Sequence, residues 1–90
     1  MGAAHNTQYV EFVTRLRNAR RARGLTQSEL GRLLHKPQAF VSKVERCERR
    51  LDVIEAAEWC LALGVRIDDL LPARLRTSVG GAADPTGKSA

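Results

Sequence analysis

The sequence predicts an all-α protein, a compact bundle of about five short helices, on three observations. Apolar residues recur at three- and four-residue steps through successive segments, and nothing alternates with the two-residue period of a strand. Each periodic segment ends at a residue that stops helices: Gly24, Pro37, Gly64 and Pro72. Ninety residues, 43% hydrophobic and 28% charged, suffice for one core and are too few for two.

In the first helix, Asn6 or Thr7 serves as cap, and Tyr9, Phe12, Val13, Leu16 and Ala19 form the apolar stripe. It is expected to run to about Arg23, with Gly24 supplying the positive φ that follows a helix end. The second begins at Thr26, whose hydroxyl and the Glu29 carboxylate form a capping box, with Leu25 and Leu30 at the staple positions. It stops near His35, because Pro37 disfavours a helical Lys36. Pro37 suits a first helical turn, so a third helix is expected from there through Val41 and Val44 to about Arg46. Asp52 and Glu55 repeat the capping box and open a fourth helix to Leu63, closed by Gly64. Val65, Ile67, Leu70 and Leu71 are expected to make a fifth, short helix ended by Pro72. These readings divide the chain into a flexible N-terminus over 1–6, an ordered domain over 7–75 and a disordered tail over 76–90, the last too poor in apolar residues to order itself.

Charge is distributed unevenly within the net +5. Residues 15–50 hold eleven cations against Glu29, Glu45 and Glu48, a balance of +8, whereas residues 51–71 carry −4. Arginine outnumbers lysine twelve to three, which suits a polyanion because a guanidinium fork takes phosphate oxygens two at a time. Cys47 and Cys60 lack metal-ligand spacing, and with His5 and His35 scattered singly no metal site and no cofactor is expected. No membrane span, secretory leader or complete myristoylation signal is read, and a reducing cytoplasm is the expected location. An enzyme finds no support: there is no nucleophile beside a base, no glycine-rich phosphate loop and no acidic pair in a plausible cleft.

The second and third helices follow one another across about three residues inside the most basic segment. So tight a link forces a steep crossing and projects the second helix of the pair as a ridge of major-groove size. Within Gln27 to Arg46, Gly31 is small enough to let the helices approach, while Leu30, Leu34, Val41 and Val44 point inward. Opposite them lie Gln38, Ser42, Lys43 and Arg46. Gln38 can pair with adenine N6 and N7, Lys43 can donate to guanine O6 and N7, and Ala39 can touch a thymine methyl. Arg46, Arg49 and Arg50 are better placed to grip phosphates.

The residues Leu16-Arg17-x-x-Arg20, Arg23-Gly24-Leu25-Thr26-Gln27-x-Glu29-Leu30, Gln38-x-x-Val41-Ser42-Lys43-Val44-Glu45 and Ala62-Leu63-Gly64-Val65 with Leu70-Leu71 resemble the Xre-like helix-turn-helix family, the group of Cro and the phage repressors. The resemblance spans about residues 12 to 71 and implies a lambda-repressor-like DNA-binding domain. It implies base readout by Gln38, Ala39, Ser42 and Lys43, and phosphate contacts from Thr26, Gln27, Lys36, Phe40, Arg46, Arg49 and Arg50. Arg20 stands on the apolar stripe of the first helix, where a lone charge is costly, and Glu45 stands inward on the third. By the resemblance the two form a partly buried ion pair. The sequence departs from the family pattern at His35 and Cys47, both at positions where glycine is usual. Phe40 is equally suited to the core or to a sugar or thymine methyl, and Trp59 is expected to pack against the C-terminal helix.

On the fourth helix Ile54, Ala57 and Leu61 form one apolar stripe, and Val53, Ala56, Cys60 and Leu63 another. One is surplus to a monomer core, which makes Ile54, Ala57 and Leu61 the candidate dimer surface. The function expected is a sequence-specific transcriptional regulator, a repressor on double-stranded DNA, binding a palindromic operator as a homodimer. The alternative is the antitoxin of a toxin–antitoxin pair, with a toxin protein as its partner and DNA binding as autoregulation.

Overall fold

Residues 6–73 and 75 are described by the computed structural model; of the segments expected to be flexible, 1–6 and 76–90, all but Asn6 lie outside them. Among the described residues four α-helices follow one another: α1 (Thr7–Ala22), α2 (Gln27–Leu34), α3 (Gln38–Glu45) and α4 (Val53–Leu63). Among the described residues there is no strand, and the fold is the all-α helix-turn-helix bundle that the sequence predicts.

Local chemistry sets the ends of these helices. Asn6 caps α1 by accepting from the Tyr9 N–H at 3.1 Å. At α2 the box is reciprocal, the Thr26 hydroxyl accepting from Glu29 N–H at 3.0 Å and the Glu29 carboxylate from Thr26 N–H at 2.8 Å. Asp52 and Glu55 do the same at α4, at 2.7 and 3.0 Å. Gly64 closes α4 at φ 70°, and His35 closes α2 in the left-handed region at φ 59°. Cys47, just beyond α3, takes the same basin at φ 62°. Pro37 is the N-cap of α3, one residue outside the helix it was expected to begin, because its ψ of 158° is extended.

The fifth helix is reduced to a single 3-10 turn, Ile67–Asp69. The seven residues between Gly64 and Pro72 hold too few backbone donors for a cooperative α-helix, and a proline at 72 disfavours helical Leu71.

Leu16, Leu30, Val41, Val44, Leu63 and Trp59 fill the interior, so every α-helix contributes to one cluster. Trp59 stacks at a tilt on Phe40 of α3, centroids 5.8 Å apart, and shares the core cluster with Leu70. Val53 departs from its expected side. It is 79% exposed, because as the first residue of α4 it projects past the end of the core that Ala56, Cys60 and Leu63 fill one to three turns later.

Two arginines that the charge count assigned to the cation surface, Arg15 of α1 and Arg23 at its C-cap, serve the frame instead. Arg15 donates to the Leu71 carbonyl at 2.6 Å and to Glu11 at 2.7 Å, tying the last described segment to α1. Arg23 donates to the Leu63 carbonyl at 2.8 Å, occupying an orphan acceptor at the end of α4.

Candidate nucleic-acid interface

The close approach of α2 and α3 rests on Gly31. A Cβ there would meet the Lys36 carbonyl oxygen at 2.6 Å, so the turn carbonyl, more than any α3 side chain, requires glycine. The turn itself closes by Lys36 N–H donating to Gly31 O at 2.8 Å, with His35 in the left-handed conformation between them.

Behind α3 lies a polar chain that runs from the core to the surface. Arg20 grips Glu45 with both prongs, Nε to Oε2 at 2.7 Å and Nη2 to Oε1 at 3.0 Å, and its Nη1 donates to the Leu25 carbonyl at 2.7 Å. Both residues are buried, at 7% and 8% exposure. Gln27 Nε2 donates to the same Glu45 Oε1 at 2.9 Å, and Gln38 Nε2 donates to Gln27 Oε1 at 2.7 Å. The buried charge is thus answered at every step, and Gln38, the exposed last member, is held by a residue of another helix. Its carbonyl oxygen and second amide hydrogen keep the donor and acceptor that a base edge requires.

The outer face of α3 presents Gln38, Ala39 and Lys43 to solvent, with Ser42 half-buried beside them. Lys36 and Thr26 are exposed at the neighbouring turn and helix start, and Gln27 is half-buried, its amide already engaged by Glu45 and Gln38. Phe40 takes the core side of the two roles that its sequence position suits. Its half-buried ring faces Trp59, and Lys36 Nζ and the Arg49 guanidinium lie 5.4 and 4.9 Å from its centroid. A phenyl ring has no donor for phosphate, so its contribution is a shelf that positions two cations.

The flanking arginines are held by partners that sequence spacing did not reveal. Arg46 donates to the Glu48 carboxylate from Nε and Nη2, both at 3.1 Å, and from Nη1 to the Ser42 hydroxyl at 2.8 Å. Arg49 Nη2 donates to Glu55 Oε2 at 2.8 Å, and its Nη1 serves Glu55 and the Arg50 carbonyl. Arg50 lies over the Tyr9 ring at 4.1 Å. The Arg49 fork, aided by Asp52 N–H, pulls the Glu55 carboxyl from about 4.5 down to about 2, and Arg46 lowers that of Glu48. These pairs cross turns, at separations of two and six residues, and fall outside the helical i,i+4 pattern that a sequence reading detects.

On α4, Ile54, Ala57 and Leu61 are exposed, Leu61 at 83%, and Leu33 of α2 lines a surface depression together with Leu61. No group of three or more potential metal ligands occurs among the described residues. None of the helices described is long and apolar enough to cross a membrane.

Two helices joined by a tight turn, one locked from behind and exposing a polar outer face, define a helix-turn-helix domain. The helix-turn-helix family model matches residues 16–70, and the chain belongs to that family. Among solved structures, an XRE-family like protein from Pseudomonas syringae pv. tomato str. DC3000 is 42% identical, with a TM-score of 0.73 over 88% of this chain and 95% of that one. No curated protein matches the chain. The Xre-type resemblance is therefore one of membership, and it points to a DNA-binding transcriptional regulator.

Proposed function

We propose that this chain is a sequence-specific repressor that occupies a palindromic operator as a homodimer, in the cytoplasm and without catalysis. The observation that carries the reading is the outer face of α3: Gln38, Ala39 and Lys43 are exposed on a helix anchored through Gln27 to the buried Arg20–Glu45 pair. Such a ridge enters a major groove about 12 Å wide, where base pairs differ in donor and acceptor pattern. Gln38, Ala39, Ser42 and Lys43 read bases. Thr26, Gln27, Lys36, Arg46, Arg49 and Arg50 hold phosphates around them, with Phe40 supporting Lys36 and Arg49.

The exposed apolar stripe of Ile54, Ala57 and Leu61 supports pairing of two chains and, with it, a symmetric operator. Each copy would read a half-site about one helical turn from the other, so that two short helices give the discrimination one cannot. Selection of duplexes from a random-sequence pool, followed by titration at several salt concentrations, tests the whole reading. The expected result is a two-fold symmetric consensus and a log affinity that falls steeply with log salt, by about 0.9 per phosphate contact. Failure to enrich any sequence, or affinity indifferent to salt, overturns it.

A further inference from the structure

Two of the three guanidinium groups at the C-terminal flank of α3, those of Arg46 and Arg49, already hold a carboxylate with the two-pronged grip that a phosphate would take. Arg46 gives Nε and Nη2 to Glu48, and Arg49 gives Nη1 and Nη2 to Glu55. A phosphodiester offers the same charge and the same pair of oxygens, so it and the carboxylate compete for one fork. We propose that Glu48 and Glu55 are specificity-determining residues: they occupy Arg46 and Arg49 until α3 is seated in a matching groove, and so suppress binding to duplexes of the wrong sequence. The inference rests on the DNA-binding reading above.

The surroundings suit an exchange. The Arg46–Glu48 pair is more than half exposed on both sides, which makes it weak enough to open. Ser42, on the reading face, accepts from Arg46, so the position of Arg46 is coupled to the surface that meets the bases. Arg49 is steadied by the Phe40 ring rather than by Glu55 alone, so loss of the carboxylate leaves it in place. Lys43 faces Glu48, while Lys36 and the Asp52 N–H face Glu55, and Asp52 and Tyr9 face Arg49. Both carboxylates stay ionised throughout the neutral range, so both are present as competitors whenever DNA arrives.

On a mismatched duplex, α3 does not descend and the arginines keep their partners, forfeiting two phosphate contacts. On the operator, base contacts bring the backbone close enough for phosphates to take over or share the forks. The carboxylates thus lower affinity everywhere, and lower it most where readout fails.

The test compares Glu48→Gln, Glu55→Gln and the double variant with wild type and with Glu58→Gln, which removes an exposed charge on α4 that holds no arginine in any described contact. Glutamine at 55 keeps the capping box, and thermal unfolding of each variant verifies the fold. Two probes are used, a mixed-sequence duplex and the duplex selected above. The double variant is expected to bind the mixed-sequence duplex about ten-fold more tightly, with a log–log salt slope steeper by about 2, one for each released arginine, and to gain less on the selected duplex. Equal gains on both probes, or changes no larger than those of Glu58→Gln, overturn the inference while leaving the DNA-binding reading intact. Wild type that binds neither duplex at low ionic strength overturns both.

Discussion

A methyl group at position 31 would stand 2.6 Å from a backbone oxygen that is itself fixed by the turn. Gly31→Ala is therefore expected to cost about 2 kcal/mol, despite the helix propensity alanine brings, and to lower the urea midpoint without changing the m-value. Glu45 is the second such position. Truncation strands Arg20 among apolar neighbours, and Glu45→Ala is expected to lose about 3–5 kcal/mol in chemical denaturation. A loss below about 1 kcal/mol would show that the pair is not the anchor of α3. Gly31 was readable from the sequence as a small residue between two helices, but its contact was not, because the Lys36 carbonyl reaches it only once His35 has turned left-handed. The partners of Arg46 and Arg49 were illegible for a similar reason: Glu48 and Glu55 come near through turns, which leave no periodic trace.

At the scale of the element, α3 has eight residues and two distinct faces. Val41 and Val44 anchor it, and Lys43 stands outward, so Lys43→Ala is expected to leave unfolding unchanged and to relax preference at one base pair, by about 1–3 kcal/mol of discrimination. Repeating the selection with the variant measures it. The starts of α1, α2 and α4 were legible because caps are local chemistry, decided by three or four neighbouring residues such as Thr26 with Glu29, whereas α3, which has no side-chain cap, begins one residue later than expected. The faces of α4 were less so. It carries two apolar stripes, and which of Val53 or Trp59 turns inward depends on where α1 and α3 lie. Trp59 went to the core against Phe40, and Val53 was left beyond its edge.

At the scale of the molecule, acid and association are the informative perturbations. The Glu29, Glu48 and Glu55 carboxyls are all lowered in the folded state, Glu55 to about 2, chiefly by hydrogen bonds from Thr26, Arg46 and Arg49 respectively. A lowered folded value means that their contribution is complete above the unfolded value near 4.5 and disappears as pH falls through the folded ones. The melting temperature is expected to fall as pH drops from 4.5 toward 2, and Glu55→Gln is expected to make that fall shallower. For association, Leu61→Glu places a charge in the exposed apolar stripe of α4. The variant should fold normally yet sediment as a monomer at concentrations where wild type pairs, and lose affinity for the selected duplex.

His35 and Cys47 bracket α3 with residues that both sit in the left-handed basin. A helix closed in this way on each side cannot be extended by a neighbouring mutation without undoing a bend, so the probe stays at about 12 Å, the rise of eight residues. Its footprint on a duplex is thereby capped at a few base pairs. A longer recognition sequence is therefore reached by multiplying the number of such probes rather than by lengthening any of them.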